Sequence, residues 1–163
     1  MKRALLISLT AILFVRAASA DVCKIDVSAS DQMRFDHQVL RIDSGCGEVE
    51  VNFTNTGKQP AKIMGHNWVL TRTKDLAPVA IAGMGAGFAN NYQVPGDSRI
   101  IAATKLIGGG ESTSVKFSVA ALKAGDEYSF FCSSPGHYSI MKGRFEIAVG
   151  NSLANAQAAN ATR

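Results

Sequence analysis

The sequence predicts an all-β fold: about eight strands forming an antiparallel β-barrel or sandwich, interrupted by one short helical insertion. Three observations carry this. There are about eight short segments with strand patterning, turn residues at short intervals between them, and a single Ala- and Gly-rich stretch of helical character. Residues 22–28 alternate as a half-buried strand does, and residues 31–33 read as a turn. Residues 39–43 form a short strand closed by Ser44-Gly45-Cys46-Gly47. Residues 48–54 alternate cleanly, with Val49, Val51 and Phe53 on one face and Glu48, Glu50 and Asn52 on the other, and Asn55-Thr56-Gly57 turns the chain. Residues 67–71 are the fourth strand. Residues 75–88 read as the helix, with Asp75 as N-cap, Pro78 in the first turn and a loose end at Gly83, Gly85 and Gly87. A loop over residues 90–98 precedes strands at 99–107, 112–119, 128–132 and 143–149.

The two ends of the chain stand apart from this series. Lys2 and Arg3, an apolar run from Ala4 to Val15 and Ala18-Ser19-Ala20 make residues 1–20 a signal peptide, with the mature chain starting at Asp21. The apolar run falls short of the roughly 20 residues a membrane helix needs. An exported protein without a membrane span in its mature chain is therefore expected. Residues 21–149 form the one folded domain. Residues 150–163, rich in Ala and Asn, hold few large apolar groups and are expected to be a disordered tail. Loss of the leader removes Lys2, Arg3 and Arg16, so 17 basic residues fall to 14 against 13 acidic ones, a net +1. No basic cluster is interleaved with aromatics, and nucleic-acid binding is excluded on that ground.

Three cysteines, Cys23, Cys46 and Cys132, enter an oxidising compartment, so one thiol is left without a partner. A Cys23–Cys46 bridge would leave Cys132 to the residues it is spaced with, while other pairings, Cys23–Cys132 among them, stay open. Cys132 begins the spacing Cys-x4-His-x3-Met through His137 and Met141, with Pro135-Gly136 inside it. A thiolate, an imidazole and a thioether on one loop suit copper better than a hard cation, and two His with one Cys and a long axial Met is the donor set of blue-copper sites. The second imidazole must be His37 or His66. His37 sits among Arg34, Asp36 and Gln38 and reads as solvated. His66 lies in the apolar segment Met64-Gly65-His66-Asn67-Trp68-Val69-Leu70, just before a strand, and is the better ligand.

Those segments carry a resemblance. Met64 to Leu70, Asp97-Ser98-Arg99, Thr104 to Gly108, Phe130-Phe131-Cys132, Pro135-Gly136-His137 and Met141-Lys142-Gly143 are similar to the azurins, over residues 22–149. The resemblance implies an eight-stranded Greek-key, cupredoxin-like β-barrel or sandwich with one short external helix, a Cys23–Cys46 disulfide, and one type 1 copper held by His66, Cys132 and His137. Met141 and the Gly65 carbonyl would be weak axial ligands. Asn67 would tie the two ligand segments together. Ser134 stands where an aromatic residue often packs beside the thiolate, and Asn55 and Ala103 stand where some azurins carry histidines. Trp68 resembles a buried family tryptophan and reads as core.

The implied activity is periplasmic electron transfer by Cu(II)/Cu(I) cycling. His137 would be the electron port, inside an apolar docking patch with Met33, Met64, Ala86 and Pro135. The implied partners are c-type cytochromes and periplasmic reductases or dehydrogenases, met transiently by a monomer. A copper storage or delivery protein could use the same soft ligands but needs an exchangeable site. An enzyme needs an open coordination position or a second copper, and there is no further His cluster to build one; the chain is read as a carrier, not an enzyme.

Overall fold

The computed structural model describes residues 21–123 and 125–148. The signal peptide expected over residues 1–20, the tail expected over residues 150–163 and Val149, assigned above to the last strand, lie outside the described residues. The strands are β1 (Val22–Ser30), β2 (Arg34–Phe35), β3 (Val39–Asp43), β4 (Glu48–Asn55), β5 (Val69–Arg72), β6 (Ala102–Ala103), β7 (Ser112–Ser118), β8 (Tyr128–Phe131) and β9 (Lys142–Ala148). Two helices, α1 (Ala61–Met64) and α2 (Leu76–Ala86), lie between β4 and β6. The strands form two curled sheets, ordered β2-β1-β4-β7 and β3-β9-β8-β5-β6. The chain passes repeatedly from one sheet to the other, so neighbours in space are seldom neighbours in sequence.

Two pairings depart from the antiparallel expectation. β1 runs parallel to β4, from Val22 opposite Glu48 to Ala29 opposite Asn55, and β3 runs parallel to β9. In each case intervening chain belongs to the opposite sheet, which returns the later strand in the same direction. The long strand expected over 99–107 shrinks to the two residues of β6 and a single bridge between Ile107 and His66. The chain there is held by irregular bonds instead: Ile101 N–H donates to the Leu70 carbonyl, and the Thr104 hydroxyl accepts from Trp68 N–H. Asp75 precedes α2 but makes no side-chain cap, because it already ends a 3-10 turn over Thr73–Asp75.

The inward faces meet in one core of Phe35, Val49, Val51, Phe53, Trp68, Leu70, Phe117, Phe130 and Phe145. A second, smaller cluster lies outside the adjoining sheet, where Leu76, Val79 and Ala80 of α2 cover Val69 and Phe131. β5 and β8 are therefore buried on both faces, which is why Val69-Leu70 and Phe130-Phe131 read as unbroken apolar runs. Tyr138, two residues past Gly136 in the loop that follows Cys132, packs on the same cluster, so α2 braces that loop. Cys23 and Cys46 form a disulfide, leaving Cys132 as the free, buried thiol.

Candidate metal centre

Two segments meet at one end of the barrel. His66 precedes β5 and is fixed by paired backbone bonds with Ile107, 3.0 Å and 2.9 Å long. The other segment leaves β8 at Cys132 and returns into β9 after Met141. Its neck is closed by Cys132 N–H donating to the Met141 carbonyl at 3.0 Å and Met141 N–H to the His137 carbonyl at 2.7 Å. Pro135 and Gly136 turn the loop between them. Gly136 sits at φ 82°, the left-handed region that favours glycine, and a 3-10 turn over His137–Ser139 follows.

This brings the three strong donors together. Sγ of Cys132 lies 3.8 Å from His66 Nδ1 and 3.6 Å from His137 Nδ1. For metal–nitrogen bonds of about 2.0–2.1 Å and metal–sulfur bonds of about 2.3 Å, angles between tetrahedral and trigonal separate N from S by about 3.5–3.8 Å. Both distances fall in that range, and all three donor atoms lie within 4.8 Å of one another, so the cluster is able to hold a metal ion. His66 Nε2 is 3.0 Å from the Ser30 carbonyl oxygen, which only accepts. Nε2 must then carry the proton and Nδ1 the lone pair facing the sulfur. Met141 is fully buried and belongs to the main core cluster.

A network of hydrogen bonds joins the two segments. Asn67 Oδ1 accepts from Ser133 N–H at 2.8 Å, and Asn67 Nδ2 donates to Ser133 Oγ at 2.7 Å. Ser134 Oγ donates to the Gly65 carbonyl at 2.6 Å. A third segment takes part that the sequence reading missed. The Asn91 carbonyl accepts from both Asn67 Nδ2 and Ser133 Oγ, and Asn91 Oδ1 accepts from Leu106 N–H. Asn91 adopts a positive φ of 56°, a conformation asparagine tolerates and one that only the folded chain reveals. Gly65 is required for packing as well as for approach: a Cβ there would strike the Ala61 carbonyl oxygen and the Leu106 side chain. Asn55 also braces this segment, its Nδ2 donating to the Met64 and Ile107 carbonyls.

His37 lies on the surface against Asp36, outside the cluster. Met64 and Pro135 adjoin the two ligand segments. Met33 lies in the turn after Ser30, and Ala86 ends α2; Met33, Met64 and Ala86 are half-buried and Pro135 is exposed. The larger exposed apolar groups among the described residues are others: Val22, Ile63, Ile81, Met84, Phe88 and Ile140. Ile63 and Ile140 flank the ligand segments in sequence, a signal that could have found them.

Burial pushes the Cys132 thiol up, against the N–H groups of Asn67 and Ser134, which favour the thiolate. A bound cation reverses that balance and drives the proton off. Burial also lowers His66, opposed by its bond to Ser30 and by Asp31, and lowers His137 to about 4, with His66 repelling a second positive charge. Both rings are neutral at pH 7 and ready to ligate. Because His137 falls from 6.5 to about 4 on folding, the unfolded chain binds more protons between those values. Stability is thus complete above pH 6.5 and is lost as pH falls toward 4. Metal-free protein should lose roughly 3 kcal/mol across this window from His137, with His66 acting in the same direction. Urea midpoints at neutral and mildly acidic pH check this; a flat profile would contradict it.

The profile of the copper-binding proteins of the plastocyanin/azurin family matches residues 21–148. The azurin of Pseudomonas chlororaphis is 52% identical over 121 residues, covering 74% of this chain and 94% of the relative. The azurin of Bordetella pertussis is 49% identical over 125 residues, covering 77% of this chain and 83% of the relative. Among solved structures, an azurin (Az-iso2) from the obligate methylotroph Methylomonas sp. strain J superimposes with a TM-score of 0.75 at 44% identity, covering 77% of this chain and 98% of that one.

Proposed function

Because the chain belongs to the plastocyanin/azurin family of copper-binding proteins, we propose that it is a periplasmic carrier of single electrons and not an enzyme. Its cofactor is copper. The observation that carries the reading is a buried Cys-His-His cluster fixed from three directions by hydrogen bonds. Copper, when bound, supplies a one-electron couple. His66, Cys132 and His137 would hold it, with Met141 and the Gly65 carbonyl as weaker donors on either side.

The protein's own part is to keep these groups still. The bond to Ser30 orients the His66 ring, the Asn67–Ser133 pair locks the spacing of the two segments, and burial keeps water out. A site that barely rearranges between two charge states exchanges electrons without a large reorganisation of its surroundings. His137 retains 8% exposure while His66 and Cys132 have none, which favours the His137 edge as the electron port. Met33, Met64, Ala86 and Pro135 would contribute to a small apolar docking face there, widened by Ile63 and Ile140. Such a face suits a brief encounter with c-type cytochromes or with periplasmic reductases and dehydrogenases. The leader-like residues 1–20 support export.

The test is an optical and EPR spectrum of the mature protein with Cu(II). An intense visible thiolate–copper band that bleaches and returns in reversible one-electron cycles is expected. A storage or delivery protein would instead surrender copper to a mild chelator within minutes, and that outcome would sink the carrier reading. The burial of Cys132, His66 and Met141 argues for slow release.

A further inference from the structure

Ser134 is the one polar side chain of the ligand loop that reaches across to the carbonyl preceding the opposite ligand. It is buried, and its Oγ stands 2.6 Å from the Gly65 oxygen. A hydroxyl has one proton and a carbonyl oxygen only accepts, so the proton points at Gly65. The Gly65 oxygen receives no other hydrogen bond among the described residues. The same serine adjoins the Cys132 sulfur, two residues along the loop. One hydroxyl thus stands between the thiolate and the carbonyl, with its positive end aimed at the carbonyl.

We propose that Ser134 sets the redox balance of this site: by donating to the Gly65 carbonyl oxygen it weakens that oxygen as a donor and favours the reduced ion. The proposal rests on the copper-carrier reading. Its sign follows from charge. An electron-rich oxygen stabilises the doubly charged ion more than the singly charged one, and a donated hydrogen bond draws on the same lone pairs. In a dry, low-dielectric site this effect is not screened. An aromatic side chain at this position could make no such bond, so the device belongs to this chain's serine. Ser134 is a positioning residue and acts through Gly65.

The experiment compares midpoint potentials and visible and EPR spectra of the copper-loaded protein, Ser134→Ala and Ser134→Thr. Ser134→Ala should keep the intense band while its potential falls, the Cu(II)/Cu(I) ratio at fixed poise rising about tenfold, or about 59 mV for one electron. Ser134→Thr, which keeps the hydroxyl, should restore the original potential. If Ser134→Ala keeps the band and its potential stays or rises, the tuning role is overturned and the carrier reading stands. Failure of Ser134→Thr to restore the potential in a protein that keeps the band would likewise overturn it. Absence of the band from the unsubstituted protein would overturn the carrier reading and the tuning role with it. Thermal unfolding of the three metal-free proteins separates a redox effect from a loss of fold.

Discussion

Cys132→Ser should abolish the intense visible band of the copper-loaded protein and leave a folded, metal-free domain. The band requires a sulfur-to-copper bond, and Cys132 is the only cysteine outside the disulfide. A serine hydroxyl does not ionise near neutral pH and is a harder donor than a thiolate, so it replaces neither the charge nor the softness the ion needs. The fold should survive because the change removes little volume, and the new hydroxyl would face Nδ1 of His66, an acceptor, and Nδ1 of His137. Optical titration with Cu(II) and far-UV circular dichroism check the two halves. Survival of the band would show that the ligand assignment is wrong.

Trp68→Ala should be the most damaging substitution to stability. Trp68 has no solvent exposure and lies among Phe117, Phe130 and Phe145, with ring centroids 6.3, 6.0 and 6.4 Å away. Truncating a large buried aromatic costs about 3–5 kcal/mol in lost transfer energy and residual cavity. Whole domains are stable by roughly 5–15 kcal/mol, so this is a large share. Trp68→Phe should cost distinctly less. The indole Nε1 has no hydrogen-bond partner, so phenylalanine removes volume but also removes an unpaired buried N–H. Urea unfolding of the metal-free variants measures both. A midpoint for Trp68→Ala close to the unsubstituted protein would mean that the core is organised around other side chains.

Much of this architecture was legible because alternation is a local property. Val49, Val51 and Phe53 announce one buried face of β4, and the structure buries all three completely. Strand direction is not local, and the parallel pairings of β1 with β4 and β3 with β9 left no mark in the pattern. β2 was missed because two residues, one of them the exposed Arg34, cannot show a period. The strand expected before Gly108 was over-read because Ile100, Ile101, Leu106 and Ile107 supply apolar residues without supplying a ladder. At the metal site, spacing placed Cys132, His137 and Met141 on one loop, and a short apolar context picked out His66. Asn91 stayed invisible, since it acts through a backbone carbonyl on groups 24 and 42 residues away. Ser134 was visible as an unusual residue, but only the folded chain showed that its partner is Gly65.

The disulfide has a consequence for chemical handling of the chain. Cys23 stands at the start of β1, while the Ser30 carbonyl at its other end touches His66, beside Cys132. Seven residues of strand, at about 3.3 Å each, place roughly 23 Å between the bridge and the lone thiol. Exchange between them requires a thiolate to reach a bridging sulfur, and Cys132 is both enclosed and protonated when metal-free. The native pairing is therefore insulated from scrambling for as long as the barrel stays closed. Alkylation of Cys132 in the metal-free protein becomes a clock for the opening of the whole domain.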